Sequence, residues 1–577
     1  MILDFQQQQA IETESWRAMV IAGAGSGKTR VLTERIAHLV ENCKVSPSEI
    51  LAMTFTRKAA GEMQSRLEER IGNSAFGLSL GTMHALALRM INRFGEVIGL
   101  KSRKVTIYSE WEESYLLRDV ALEMGLYDGK KWKGMKAGDV MSVLGGYYQR
   151  GVEPEDSDPV HDIFRAFIQR CRENNAMTYG GLMVGLRLLI PTMAKYLNIK
   201  HILVDEVQDI DHLQWDIILE MEKQFGAALF VVGDVDQSIY EWRGAAPKYL
   251  VDHQDEFWIY RLESNYRSVP SIVEASNQLI SHNVDRITKT MVATRDVPGE
   301  SVTMWKDADS ARVAEIARSI WNNLRPPAMA ILARNHFLLE KLSRLLEERG
   351  VVHEYIGRTT ALTNSESFRR YHAFLKLMVN PYDNFSFLLI KDVIGVSRDE
   401  YSRIRIESAE AGISHFQSWF KRAAGGAVTL FLADVSLAEA ASWIETLHPE
   451  LSPEASAFIL AWDKDNFGSI EDYLNWLALW DLQDEIKKDA KGISLQTIHS
   501  AKGLEWPVVI LAGCNEGIIP SKQSVNANDV EAERRLFYVA MTRAQDQLIM
   551  TVRPERTEKD GRIFESPQSR FIQESMQ

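Results

Sequence analysis

The stretch Val20–Thr29 reads VIAGAGSGKT, and it limits what this chain can fold into more than any other. An apolar run (Ala18–Ala22) enters a glycine-rich loop, and a helix-forming stretch, TRVLTERIAHLV, follows at once. Strand, loop and helix in that order make a phosphate cradle. Successive backbone N–H groups wrap a triphosphate, Lys28 reaches the β- and γ-phosphates, and the Thr29 hydroxyl can ligate Mg²⁺. The strict pattern has glycine where this chain has Ala22, and a residue that small still lets the turn close. An ordinary glycine turn would not place Gly-Lys-Thr in register at the mouth of a helix. Nucleotide binding is the first expectation.

The chain has 577 residues, more than one ordinary domain holds, and its length suggests about four. Hydrophobic residues make up 45% and charged residues 25%, the balance of a soluble globular protein. No apolar run reaches membrane-spanning length, and the N-terminus MILDFQQQQAIE has no basic stretch before an apolar core. Cys43, Cys171 and Cys514 are too far apart for a zinc, iron–sulfur or disulfide spacing. A cytoplasmic protein without a membrane partner is expected. The net charge of −13 argues, taken alone, against a nucleic-acid binder. In a large ATPase, however, a binding groove can sit on an acidic body, so any nucleic-acid path here should be polar and aromatic, with few long basic patches.

Beyond the loop, Ile50–Phe55 reads as a second buried strand and TRKAAGEMQSRLEERI as its helix. Leu80–Met90 begins with a polar turn and continues into a helix, and residues 91–196 are mostly helical with breaks near 128–138. His201–Asp205 is a short strand ending in Asp205-Glu206. An Asp there suits a Mg²⁺ ligand, and the adjacent Glu can orient or deprotonate the attacking water. Ala228–Gly233 leads into DVDQSIYEWRGA, where Gln237 can sense a γ-phosphate and Tyr240, Trp242 and Arg243 have the composition of a base-stacking surface. A lone Trp is more often core, but flanking Glu241, Arg243 and Gly244 argue against full burial of Trp242. Strands are predicted at Trp258–Leu262, Val302–Trp305, Met329–Ala333, Val352–Ile356, Ile493–Gln496, Val508–Ala512 and Gln547–Val552. Residues 380–487 are again helical and Trp-rich, with a Gly/Ala break at 423–427.

Taken in order, the glutamine stretch around Gln7, AGAGSGKT, TFTRKAAGEM, GTMHALALRM, LVDEVQD, VVGDVDQSIYEWRGA, LESNYRS, ISLQTIHSAKGLEWPVVILAG and EAERRLFYVAMTRAQDQL resemble the UvrD/Rep branch of superfamily 1 helicases across essentially the whole chain. The resemblance implies an α/β fold of two RecA-like P-loop cores, each interrupted by a mainly helical insertion. The first core takes 1–90 and 197–265 around an insertion at 91–196, and the second takes 266–379 and 488–577 around an insertion at 380–487. It implies that Ala22, Gly23, Ala24, Gly25, Ser26, Gly27, Lys28 and Thr29 hold the phosphates, with Mg²⁺ on Thr29 and Asp205. Gln7 falls at the adenine-reading glutamine, Tyr266 at the aromatic that stacks on adenine, Arg30 near the sugar and base, and Glu505 at a ribose-binding carboxylate. Glu206 matches the water-activating residue and Gln237 the γ-phosphate sensor. Arg267 and Arg543 match two arginines that reach the γ-phosphate from the second core. Phe55, His84, Tyr240, Trp242, Arg243, Arg334 and His499 match positions along a single-stranded DNA path.

The activity implied is ATP- and Mg²⁺-dependent 3′→5′ movement on single-stranded DNA with unwinding of tailed duplex, by a monomer or weak dimer with repair or replication proteins as partners. A single-strand-stimulated translocase that strips proteins but unwinds poorly is the alternative, motivated by a second insertion smaller than in familiar members. A non-catalytic scaffold conflicts with intact Lys28, Asp205, Glu206, Gln237, Arg267 and Arg543. Three departures stand out. Val207 replaces a usual aromatic, Trp506 stands where Phe is common, and MTYGG (177–181) replaces an acidic stretch.

Overall fold

Strands of a parallel sheet are covered on both faces and must be apolar along their whole length. In the computed structural model, β1 (Arg17–Ala22) and β2 (Ile50–Thr54) are buried at nearly every residue. The structure describes residues 3–151, 160–245, 247–296, 301–324, 328–356, 365–422, 435–451, 459, 469–479, 492–527, 529–553, 555–557 and 563–576. After β3 (Ser79–Thr82) the chain leaves this sheet for a short parallel pair, β4 (Thr106–Tyr108) with β5 (Ala176–Thr178). It returns with β6 (His201–Val204), β7 (Ala228–Gly233) and β8 (Trp258–Leu262). The sheet order is β3-β2-β6-β7-β1-β8, and every pairing is parallel. All six carboxyl ends therefore lie along one edge, where open α/β sheets place their ligands.

A two-residue pair, β9 (Ser264–Asn265) with β10 (Val292–Ala293), precedes the second sheet. That sheet is built from β11 (Val302–Trp305), β12 (Met329–Ala333), β13 (His353–Tyr355), β14 (Ile493–Thr497), β15 (Trp506–Ala512) and β16 (Ala544–Thr551). Its order is β11-β16-β15-β12-β14-β13, again wholly parallel. The expected α/β class is the one found. Both sheets belong to one compact unit, Met1–Met83, Leu197–Gly357 and Asp481–Gln577. A buried apolar cluster runs from Ala24, Ile239 and Tyr240, in the segments after β1 and β7, to Ile498, Leu536 and Phe537, so the segments at the carboxyl end of the first sheet pack against the second core.

The second unit comprises His84–Tyr196 and Arg358–Trp480. Its two stretches are helical and joined by buried polar contacts. The Tyr108 hydroxyl donates to Asp383 Oδ1 at 2.7 Å, and Asn380 Nδ2 donates to Thr106 Oγ1 and Asn174 O at 2.8 and 2.9 Å. The Gly/Ala break expected at 423–427 lies outside the described residues.

Two expectations need correction. Leu80–Thr82 is not a polar turn but most of β3, because Leu80 and Thr82 pair with Ala52 and Thr54 of β2. The MTYGG stretch also acquires a physical account. A Cβ at Gly180 would lie 2.5 Å from the Tyr148 ring, so the glycine gives that ring its place. Thr178 Oγ1 accepts the Gly181 N–H at 3.0 Å at the start of the helix Tyr179–Tyr196.

Candidate active site and nucleic-acid groove

The loop after β1 takes its shape from two left-handed glycines, Gly25 (φ 70°) and Gly27 (φ 83°). Gly27 caps the helix Lys28–Glu41 without any side-chain hydrogen bond, which leaves the helix N-terminus as a positive, donor-rich end. Ala22 is the last residue of β1 and is absent from the positive-φ residues, so its Cβ costs nothing there. Ser26 Oγ donates to Gly23 O at 2.8 Å and closes the turn.

The loop is held from the segment around β9. Asn265 Nδ2 donates to Ala24 O at 2.8 Å, while Asn265 Oδ1 accepts the N–H groups of Arg267 and Ser268 at 2.9 and 2.8 Å. The Tyr266 N–H donates to Gly25 O at 2.9 Å. A Cβ at Gly25 would meet Arg267 Cβ at 2.7 Å, so the glycine gives the Arg267 and Asn265 side chains room against the loop. Asn265 stands in LESNYRS, but sequence reasoning gave it no role. Leaving buried groups unpaired costs about 1–3 kcal/mol. Asn265→Ala should accordingly lower the melting temperature and raise the KM for ATP several-fold, measured by thermal unfolding and steady-state hydrolysis. An unchanged KM would mean that the loop holds its shape unaided.

Gln7 and Tyr266 gather on the same loop. Gln7 Nε2 donates to Ser26 O at 3.0 Å, and its Oε1 accepts the Asp4 N–H at 3.2 Å. The Tyr266 hydroxyl donates to Asp4 Oδ2 at 2.5 Å. Arg30 occupies the first turn of the helix Lys28–Glu41.

Lys28 Nζ donates to Ala22 O at 3.3 Å. Burial pulls its ammonium below the usual range, opposed by Glu206, Asp234 and Asp205. Asp205, directly after β6, is buried, and that burial with Glu206 alongside pushes its carboxyl up to about 7. Burial alone would raise Glu206 too, but Lys28 and Lys502 outweigh it and hold that carboxyl below its usual range. Glu206 is also one of four non-glycine residues with positive φ (50°) among the described residues, a conformation that costs on the order of 1–3 kcal/mol and concentrates at functional sites. The Thr29 hydroxyl and the Asp205 carboxylate are hard oxygen donors of the kind Mg²⁺ takes, the remaining ligands being water and phosphate oxygens. A buried acid displaced to about 7 is one that a dication would ionise. Among the described residues no group of three or more His, Cys, Asp or Glu could hold a metal, so phosphate oxygens would be needed to complete such a site.

The second sheet contributes the remaining groups. Arg543 is 2% exposed, and its Nη2 donates to Gln237 Oε1 at 3.3 Å. Its Nε and Nη1 donate to Val539 O and Leu504 O at 2.9 and 3.2 Å. Burial, with Arg267 nearby, pulls this guanidinium down to about 9. Arg267 Nε donates to Glu505 Oε2 at 2.5 Å and Nη1 to Thr542 O at 3.0 Å, while Gln545 Nε2 donates to Glu505 Oε1 at 2.9 Å. Lys502, quoted in AKGLEW but given no role there, pairs with Asp209 and donates to Gln237 O at 2.6 Å. Lys28, Glu206, Gln237, Arg267, Arg543 and Glu505 thus form one neighbourhood.

A groove of about 640 Å³ lies beside it, lined among others by Tyr240, Trp242, Arg334, His336, His499 and Gln523. Trp242 is 68% exposed, so the core alternative for this residue does not hold. The Trp242 ring stands edge-on to His499 with centroids 6.3 Å apart. Tyr240 is buried in the groove floor, stacked on Phe55 at 5.1 Å, and its hydroxyl donates to His499 O at 3.2 Å. Arg334 is held by Glu533 at 2.9 Å, and Glu241 and Asp529 also line the groove, so its lining is polar and aromatic. His336 and Gln523 carried no sequence signal. The Arg243 side chain lies outside the described residues. His84 belongs to the second unit, where it stacks on Tyr179 at 4.1 Å and burial pulls it down to about 4, leaving the ring neutral.

Residues 3–258 match the UvrD/REP helicase N-terminal domain, and residues 260–427 and 442–555 match the UvrD-like helicase C-terminal domain. The chain belongs to the UvrD/Rep helicase family. It is 30% identical to the ATP-dependent DNA helicase PcrA of Bacillus subtilis, over 98% of this chain and 85% of the relative. Identity to the ATP-dependent DNA helicase Rep is 28% in both Salmonella typhimurium and Escherichia coli, over 98% of this chain and 93% of each relative. No helix among the described residues is long and apolar enough to cross a membrane.

Proposed function

We propose that this ATP-dependent DNA helicase moves 3′→5′ along single-stranded DNA, closing its two sheets on ATP and loosening them when the γ-phosphate is lost. The observation that carries the reading is the segment Asp234–Arg243, which serves both places at once. Gln237 meets Arg543 at one end, and Tyr240 and Trp242 line the groove at the other. A change at the γ-phosphate therefore reaches the DNA surface within five residues of chain.

In this reading Lys28 and the loop N–H groups bind the phosphates, and Thr29 and Asp205 would hold Mg²⁺, which supplies charge neutralisation between the phosphates. Gln7 and Tyr266 receive the adenine, Arg30 lies by the sugar and Glu505 takes the ribose. Glu206, kept ionised by Lys28 and Lys502, accepts a proton from the attacking water. Arg267 and Arg543 neutralise charge spreading over the transferring phosphoryl group. Ribose binding by Glu505 would release Arg267 from its present partner and free that guanidinium to reach phosphate.

Phe55, Tyr240, Trp242, Arg243, Arg334 and His499 make the DNA path of the first unit, and His84 is a candidate DNA contact of the second taken by itself. Stacking contributes on the order of 1–3 kcal/mol per base without regard to sequence, as a motor on any sequence requires. Trp242→Ala should weaken single-strand binding about 5- to 100-fold and reduce DNA stimulation of hydrolysis, with a smaller effect on basal turnover. Fluorescence titration with a labelled oligonucleotide, alongside hydrolysis with and without DNA, measures both. Unchanged stimulation would remove Trp242 from the path.

A further inference from the structure

Lys289 follows the helix Pro270–Ile280 and precedes β10, and no motif in the sequence drew attention to it. Its ammonium is buried between two buried carboxylates, 2.5 Å from Asp234 Oδ1 and paired also with Asp236. Asp236 takes a second cation, Arg286, at 2.8 Å. Asp234 has Lys289 as its ion-pair partner, and it is the residue that holds Gln237. Gln237 Nε2 donates to Asp234 Oδ2 at 2.5 Å, which turns the amide oxygen towards Arg543 Nη2 at 3.3 Å. Asp234 is also tied to the hydrolytic side, since its N–H donates to Gln208 Oε1 at 3.0 Å and Gln208 Nε2 donates to Glu206.

The segment carrying Lys289 is fastened to the helix that ends just before Arg543. Asn283 Nδ2 donates to Glu531 O at 3.2 Å, Arg534 Nη1 donates to Asn283 Oδ1 at 2.6 Å, and both partners lie in the helix Val530–Met541. Two residues after Lys289, Met291 lies against the phosphate loop, where a Cβ at Gly23 would meet its Sδ at 1.9 Å.

We propose that Lys289 is a positioning residue for ATP turnover, fixing Asp234 so that the Gln237 amide presents its oxygen to Arg543 and its remaining face to the γ-phosphate. The inference rests on the reading of Gln237 as γ-phosphate sensor and adds the residue that sets its orientation. Lys289 touches neither nucleotide nor DNA in this account; it acts through Asp234. Arg286 cannot replace it, because Arg286 is engaged on Asp236 and on Lys289 O at 3.4 Å.

The test uses the full chain and compares Lys289→Met, Lys289→Arg, Gln237→Ala and the double variant Lys289→Met/Gln237→Ala in steady-state hydrolysis with and without poly-dT. Lys289→Met should lower the DNA-stimulated kcat about tenfold or more while the KM for ATP and the Kd for poly-dT stay within about twofold. Lys289→Arg should recover most of the loss, since it keeps a cation on Asp234. The double variant should be no slower than Gln237→Ala alone, as expected for two residues acting through one group. If Lys289→Met does not fold, Lys289→Gln, which keeps a hydrogen-bond donor beside Asp234 but removes the cation, takes its place, and a loss of kcat in the same direction is expected. Wild-type kcat in folded Lys289→Met, or in the folded neutral variant that replaces it, with Gln237→Ala impaired, overturns the inference and leaves the sensor reading standing. Wild-type kcat in Gln237→Ala overturns the sensor reading and this inference with it.

Discussion

Lys28→Ala should abolish measurable ATP hydrolysis while leaving single-stranded DNA binding measurable. The lysine is the first residue of the helix behind the phosphate loop, and its ammonium lies over the loop with Glu206, Asp234 and Asp205 around it. In the proposed account, removing it takes away the cation that meets the β- and γ-phosphates and the charge that offsets Glu206 and Asp205, while Asp234 keeps Lys289. Loss of one preorganised donor in a transition state lowers kcat about 10²–10³-fold, and here the uncompensated carboxylates add to that loss. The DNA groove lies outside this cluster, lined by Trp242, His499 and Arg334, so its affinity for an oligonucleotide should change less than about twofold. Turnover measured by phosphate release, with binding measured by anisotropy on the same preparation, separates the two. Near wild-type turnover would remove the loop from the chemistry.

Arg543→Ala carries the second large effect. An arginine that neutralises a transferring phosphoryl group contributes about 10³–10⁵ in kcat, of which 10³ corresponds to about 4 kcal/mol. Arg543 also has structural contacts, donating to Val539 O and Leu504 O, so alanine alone would confuse lost chemistry with lost packing. Arg543→Lys keeps a positive charge but cannot reproduce a guanidinium fork reaching Val539, Leu504 and Gln237 together. We expect both variants to bind ATP with near wild-type affinity and to hydrolyse it about 10³-fold or more slowly, with the lysine variant the more stable of the two on heating. If Arg543→Lys hydrolyses ATP normally, charge at that position is sufficient and the role as a phosphate-reaching finger is wrong.

The sequence was most readable where burial leaves little choice. The strands Ala228–Gly233 and Met329–Ala333 have the limits that their apolar runs indicated, because a parallel strand covered on both faces tolerates polar residues only at its ends, and the half-exposed edge strands Trp258–Leu262 and Val302–Trp305 have their expected limits too. Strand β3 was hidden because Gly81 and Thr82 read as a turn and only pairing with β2 makes them extended. The pairs β4–β5 and β9–β10 are two or three residues long, too short for any period to register. The chemistry-bearing residues announced themselves by type and order, as in Gly-Lys-Thr and Asp-Glu. The residues that hold them did not. Asn265, Lys289 and Lys502 act through partners 241, 55 and 293 positions away, and such pairings leave no local pattern. Trp242 lay between, its exposure readable from its polar neighbours yet certain only once the groove was in view.

In the proposed account the Gln237–Arg543 pair, at the head of the segment that runs to Tyr240 and Trp242, couples nucleotide to DNA, and the expected consequence is motion in one direction powered by hydrolysis. The most direct measurement is ATP-driven strand displacement from two duplexes of the same sequence, one with a 3′ single-stranded tail and one with a 5′ tail, with hydrolysis followed in the same reactions. Hydrolysis stimulated strongly by either tail, with displacement of the 3′-tailed duplex alone, is the predicted result. Displacement from the 5′-tailed duplex, or hydrolysis indifferent to DNA, would contradict it.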